Sequence, residues 1–204
     1  MNHTIFSGDA SIVSRETKAR LESYVELLKK WNRKINLIGR FSEDEIWERH
    51  IADSMQLIPH LPRAAKTVAD IGSGAGLPGL VLAMMSDKHF TLIERDQRKC
   101  AFLAEAVREC SIINVDIFNS DVAEMRQKFD VLTARALANL NELLVISDHL
   151  IMEKTICLFP KGESYAMELD EAKKHWDFSC QLLPSLTHKK SRILVISELR
   201  KRGG

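Results

Sequence analysis

The stretch Val68–Ala83, VADIGSGAGLPGLVLA, sets four glycines (Gly72, Gly74, Gly76 and Gly79) between two apolar runs. A glycine inside a strand or helix costs about 0.5–1 kcal/mol relative to alanine. Four together mark a place where the backbone turns sharply or must come close to something. Strand, glycine loop and helix in that order let a ligand lie across the C-terminal end of a strand in an open α/β sheet. Short β-branched or apolar runs at Thr67–Ile71, Phe90–Ile93, Val115–Phe118, Phe129–Thr133 and Thr155–Phe159 alternate with helix-length segments. One of these, Arg98–Cys110, carries a stripe of Leu103, Val107 and Cys110. Such alternation predicts a parallel sheet with helices on both faces. Cys180–Leu186 and Arg192–Leu199 are joined by Thr187–Ser191 alone, too short for a crossover helix, so an antiparallel hairpin is expected to close the sheet.

Upstream of the loop the period is helical. Leu21, Tyr24, Val25, Leu28 and Trp31 recur along Arg15–Trp31 behind Ser14, a candidate N-cap. Ser42-Glu-Asp-Glu45 has the spacing of a capping box and opens a second helix to about Leu57, ended by Pro59 and Pro62. The expectation is one compact α/β unit: a helical cap over residues 1–62, then a Rossmann-like core over residues 63–204. The core would hold seven mostly parallel strands and end in a frayed tail, Arg200–Gly204.

The chain has 204 residues, 45% of them hydrophobic, which suffices for a sizeable core. A net charge of +1 excludes a uniformly basic coat for nucleic acid and leaves room for one basic face. The four cysteines (Cys100, Cys110, Cys157, Cys180) form no CxxC pair and have no histidine at metal spacing. They read as reduced, mostly core residues, and no metal is expected. No apolar run approaches the roughly 20 residues of a membrane span. The N-terminus lacks a basic start followed by an apolar stretch. A cytoplasmic address without a membrane partner is expected.

Gly74, Gly76 and Gly79 match the dinucleotide fingerprint GxGxxG. Asp70 and the alternating Gly72, Gly74 and Gly76 form instead an Asp-x-Gly-x-Gly-x-Gly run, which resembles motif I of the class I methyltransferases that bind S-adenosylmethionine. Glu94 ends the second strand roughly 20 residues on, where a carboxylate accepts from both ribose hydroxyls. That acid suits an NAD-dependent oxidoreductase as well as a methyltransferase; the glycine spacing favours methyl transfer. The third strand leads into Asp121-Val-Ala-Glu124, where methyltransferases hold adenine.

Trp31-Asn32, Asn36-Leu37, Arg49-His50, Asp53-Ser54, Asp70–Gly79, Arg98-Lys99, Phe102-Leu103, Arg135-Ala136 and Lys161-Gly162 follow in that order. In these motifs the chain resembles the RsmG (GidB) family, which methylates guanine N7 in the 530 loop of 16S ribosomal RNA. The resemblance implies S-adenosylmethionine as cofactor, and 16S rRNA or a small-subunit assembly state as partner. It implies cofactor contacts at Gly72, Leu77, Val122, Ala123 and Arg135, to which the loop reading adds Gly74, Gly76 and Glu94. A methyltransferase for another RNA or a small molecule, and a non-catalytic ribosome-binding protein, are the competing readings.

Guanine N7 carries a lone pair, so alignment matters more than a base. The fourth strand ends in Thr133-Ala-Arg-Ala136, without the Asn/Asp-Pro-Pro-Tyr of adenine-amine methyltransferases. Arg135 is the candidate catalytic residue. Always charged, it cannot serve as a base and is expected to pair with the cofactor carboxylate, a nearby acid or an RNA phosphate. His50, Asp53 and Ser54 share one helix face, whereas a hydrolytic triad converges from separate segments. They are expected to anchor the cap on the sheet, with RNA contact as the alternative. Asn32 and Asn36 would fix a helix end or touch substrate. Lys29-Lys30, Arg33-Lys34, Arg40, Lys173-Lys174, and His188-Lys-Lys190 with Arg192 would form a phosphate-binding rim if cap and hairpin meet. A monomer is expected.

Overall fold

A computed structural model describes residues 13–39 and 43–203. Helix α1 (Arg15–Asn32) starts at Ser14, whose hydroxyl accepts the Thr17 N–H at 3.0 Å. The second helical run divides into α2 (Glu43–Ile46), a π-helical turn (Trp47–Ala52) and α3 (Asp53–Met55). Ser42, the proposed cap of that run, lies outside the described residues, as does Arg40 of the basic set.

The strands are β1 (Thr67–Ile71), β2 (His89–Ile93), β3 (Val115–Phe118), β4 (Phe129–Thr133), β5 (Ile151–Lys161), β6 (Trp176–Pro184) and β7 (Arg192–Lys201). Between them run α4 (Gly79–Met85), α5 (Gln97–Glu109), α6 (Leu140–Ser147) and α7 (Tyr165–Ala172). Among the described residues the seven strands form one sheet in the order β3-β2-β1-β4-β5-β7-β6. The first five pair in parallel; β7 runs antiparallel to both β5 and β6. The tail is not frayed as expected. β7 extends to Lys201, and Arg202 bonds His175 O through its N–H and Asp177 Oδ1 through Nε, at 2.9 and 2.7 Å.

Alternation along the strands sorts the core into its layers. Val68, Phe90, Leu92, Val131 and Leu158 pack beneath α1, α4 and α5. Ala69, Ile71, Ile93, Leu132, Cys157 and Phe159 face α6 and α7 with Leu140, Leu144 and Leu169. Burying each such large side chain contributes about 1.5–3 kcal/mol. Cys100, Cys110 and Cys157 are buried free thiols. Strand order reverses direction between β1 and β4, so the crevice of this sheet opens at the C-terminal ends of those strands. Among the described residues no helix is long and apolar enough to cross a membrane, and no cluster of histidine, cysteine or carboxylate side chains is suited to a metal ion.

Candidate active site

The loop after β1 takes a conformation that side chains resist. Gly72, Gly74 and Gly76 have φ of +66°, +55° and +79°. At Gly72 a Cβ would also fall 2.7 Å from Leu137 Cδ1, filling the groove over the loop. Gly79 answers to packing instead: a Cβ there would lie 2.4 Å from Leu92 Cδ2 and 2.6 Å from Asp70 Oδ2. Only glycine lets α4 approach β1 and β2 so closely. Pro78 precedes α4 as its N-cap rather than standing in its first turn.

Glu94 grips the loop. Its Oε2 accepts the Gly74 N–H and its Oε1 the Asp96 N–H, each at 2.8 Å. Each carboxylate oxygen has two lone pairs, so both can still accept from a ribose diol. Tyr24 of α1 donates to Ala75 O at 2.5 Å, tying the cap to the loop. Asp70 is fully buried; Oδ2 accepts the Gly79 N–H at 3.2 Å, while Oδ1 has no hydrogen-bond partner among the described residues. Burial lifts its carboxyl to about 7. An orphaned buried acceptor, a glycine cradle and a strand-end carboxylate fit a cofactor with a ribose and a cationic centre.

The other residues expected to contact the cofactor lie in two places. Leu77 buries its side chain in the core, leaving only its backbone for a ligand. Val122 and Ala123 lie in a short 3-10 turn that Asp121 caps through the Ala123 N–H at 3.0 Å. They border a cavity of about 320 Å³ with Arg126, Ile146 and His149. Asn119 donates to Glu94 O at 3.1 Å, holding the β2 and β3 exits together.

Arg135 occupies a second cavity, of about 270 Å³, which it lines with Asp53, Gln56, Lys161, Glu168 and Arg192. Its Nη1 donates to Arg49 O at 3.1 Å and reaches Asp53 Oδ2 at 3.4 Å. Of the partners foreseen for Arg135, the nearby acid is the one present. The next residue, Ala136, has φ of +54°, a strained setting for a residue with a Cβ. Leu137 then lies against Gly72, so the exit of β4 abuts the glycine loop.

That exit is pinned from its far side. Lys161 Nζ donates to Ala138 O at 2.7 Å and pairs with Glu168 Oε2 at 2.9 Å, and the same oxygen accepts the Leu140 N–H at 2.9 Å. Lysine, hydroxyl and backbone donors together hold the Glu168 carboxyl below the usual range, against the burial that raises it. Sequence reasoning met Lys161 only as part of a motif and missed Glu168. Its signal was a carboxylate in the first turn of α7, just after Lys161-Gly162.

Of the three cap residues, Asp53 anchors the cap, through Arg135 and Thr187. Ser54 Oγ donates to His50 O at 2.7 Å, away from Asp53, and no triad converges. Burial, then the charges of Arg135 and Arg49, push the His50 imidazole down to about 4, so it is neutral at pH 7. Asn32 Oδ1 accepts the Leu37 and Ile38 N–H groups, fixing the turn after α1. Cap and hairpin do meet: Gln56 Oε1 accepts the Leu186 N–H at 2.8 Å, and Thr187 Oγ1 donates to Asp53 Oδ1 at 2.7 Å.

Comparison with known proteins agrees with this geometry. The family model described as rRNA small subunit methyltransferase G (GidB) matches residues 17–195. The chain is 44% identical over 189 residues to the ribosomal RNA small subunit methyltransferase G of Gluconobacter oxydans (strain 621H), covering 93% of this chain and 97% of that protein. It is 42% identical over 195 residues to the protein of the same name from Ruegeria sp. (strain TM1040), covering 93% and 94%. Its fold is similar to that of the ribosomal protein L11 methylase from Lactobacillus delbrueckii subsp. bulgaricus, with a TM-score of 0.61 at 17% identity over 78% of this chain and 80% of that one. The sheet is that of the class I methyltransferases, and the chain belongs to the rRNA small subunit methyltransferase G (GidB) family.

Proposed function

We propose that this protein transfers a methyl group from S-adenosylmethionine to N7 of a guanine in the 530 loop of 16S rRNA. It acts in the cytoplasm on the RNA or on an assembly state of the small subunit, as a monomer whose cap (residues 1–62) docks on its core (residues 63–204). The family match over residues 17–195 carries the reading, because it spans the glycine loop, both cavities, β6 and the start of β7.

When bound, the cofactor supplies an electrophilic methyl on a cationic sulfur. Gly72, Gly74 and Gly76 offer backbone without side chains of their own, with Leu137 lying against Gly72 and the backbone of Leu77 at the end of the loop. Glu94 accepts from the ribose while keeping its bonds to Gly74 and Asp96. Val122 and Ala123 flank the adenine. The guanine enters the cavity beside Arg135 and presents its N7 lone pair, so no group here need remove a proton. Alignment to roughly 3–3.5 Å is the main demand. Arg135 meets it with a planar fork of five donors, of which Nη1 is engaged by Asp53 and Arg49 O. The others are available to guanine O6, a phosphate or the cofactor carboxylate.

The test incubates protein and cofactor with small-subunit rRNA and subunits from cells lacking this protein, then maps the product by mass and primer extension. One new methyl on guanine N7 is expected. An unmodified RNA, or a methyl on another base, overturns the proposal.

A further inference from the structure

Asp53 joins three segments that lie far apart in the chain. Its Oδ2 receives Arg135, 82 residues away, and its Oδ1 receives Thr187, 134 residues away, at 2.7 Å. Gln56 Nε2 donates to the same Oδ1 at 2.7 Å, while Gln56 Oε1 takes the Leu186 N–H. The Asp53 and Arg135 side chains are only 18% and 16% exposed. On the hairpin side, the residues after Thr187 are His188, Lys189 and Lys190, all exposed. A phosphate chain drawn to the two lysines pulls on a loop whose hydroxyl is bonded to the carboxylate that holds Arg135.

A carboxylate is planar, so turning one oxygen turns the other. The 3.4 Å contact to Arg135 is loose enough to follow, with the Arg49 carbonyl at 3.1 Å as the second point of hold. We propose that Asp53 is a positioning residue for methyl transfer: it sets the Arg135 guanidinium according to where the hairpin loop sits. RNA engaged by that loop is thereby felt at the transfer site. The proposal rests on the methyltransferase reading above.

The discriminating variant is Thr187→Val, which removes the hydroxyl from a surface loop and leaves Asp53, Gln56 and Arg135 in place. Steady-state methyl transfer is measured at saturating cofactor with the RNA concentration varied, alongside cofactor affinity and thermal melting. The expected result is a kcat lowered about tenfold, less than the roughly hundredfold that a misplacement of about 1 Å can cost, with cofactor affinity and melting unchanged. Thr187→Ser restores the rate. In an Asp53→Asn background Thr187→Val adds no further loss. A raised KM with intact kcat, or losses that multiply in the double variant, overturns the coupling alone. A wild-type protein that binds cofactor and methylates no rRNA overturns the functional reading and the coupling with it.

Discussion

At the exit of β1 most of the bonds that hold the loop come from its own neighbourhood, with Tyr24 of the cap adding a long-range bond to Ala75 O. Gly74 and Asp96 donate to Glu94, Ser73 Oγ to Asp70 O, and Gly79 to Asp70, all within the first two strand-helix units. At the exit of β4 the holding groups come from elsewhere: Asp53 of the cap, Lys161 of β5 and Glu168 of α7. The first region is a backbone feature that its local sequence can build. The second is an assembly of side chains that exists only once cap, sheet and hairpin are together.

Glu94→Ala strikes the first region hardest. It removes the proposed ribose acceptor together with the partner of the Gly74 and Asp96 N–H groups, and cofactor binding should weaken by about 1.5–3 kcal/mol. Calorimetry giving wild-type affinity would break the comparison at its root. Gly79→Ala comes next. The added Cβ meets Leu92 and Asp70 well inside contact distance, so α4 must lift from the sheet at a cost of about 1–3 kcal/mol. Gly162→Ala, at the assembled cavity, has nothing within 4 Å of the new Cβ and should shift stability by less than about 0.5 kcal/mol. Equal melting temperatures for the two variants would contradict the claim that the loop side is the tightly packed one.

A smaller effect depends on pH. An unfolded aspartate titrates near 3.9, whereas burial lifts Asp70 to about 7. Between those values the folded chain binds more protons than the unfolded one, so Asp70 withdraws stability as pH rises through about 7. His50, held down at about 4, has the opposite sign: stability falls as pH drops from about 6.5 toward 4. Asp70→Asn should therefore raise the cofactor-free melting temperature more at pH 8 than at pH 5. Equal shifts would show that Asp70 is not titrating there. The smallest effect concerns the rim. Reversing Lys189 and Lys190 should flatten the salt dependence of RNA binding, by about 0.7 in log–log slope for each single-strand phosphate that the loop no longer neutralises. Lys190 already pairs with Glu163 at 3.1 Å, so most of the change should come from Lys189.

What could be read from the sequence follows the same division. β1, β3 and β4 run as their apolar runs predict, and Glu94 and the glycines meet because one strand-helix unit separates them. β5 runs from Ile151 to Lys161, past the expected Thr155–Phe159: Ile151 pairs with Phe129 across a register shift and Pro160 and Lys161 pair with β7, so the partners and not an apolar run set its ends. The π-helical turn Trp47–Ala52 was invisible for a related reason: a shift of backbone bonding leaves composition unchanged, yet it sets the phase on which Asp53 and Gln56 leave the helix. The bonds from Asp53 to Arg135 and Thr187 span 82 and 134 residues, and no local period encodes such a meeting.

Arg135 is where the two regions touch, through Leu137 over Gly72, and it offers the most direct test. Methyl incorporation into small-subunit rRNA at saturating cofactor, with calorimetric cofactor affinity and melting on the same samples, should be measured for Arg135→Ala and Arg135→Lys. The expected result for Arg135→Ala is a folded protein that, at saturating cofactor, transfers methyl at least about tenfold more slowly, about 1.4 kcal/mol of transition-state stabilisation. Arg135→Lys should recover part of the rate, since a point charge does not replace the fork. Full activity in Arg135→Ala, or a loss explained by a collapsed melting temperature, would contradict the account.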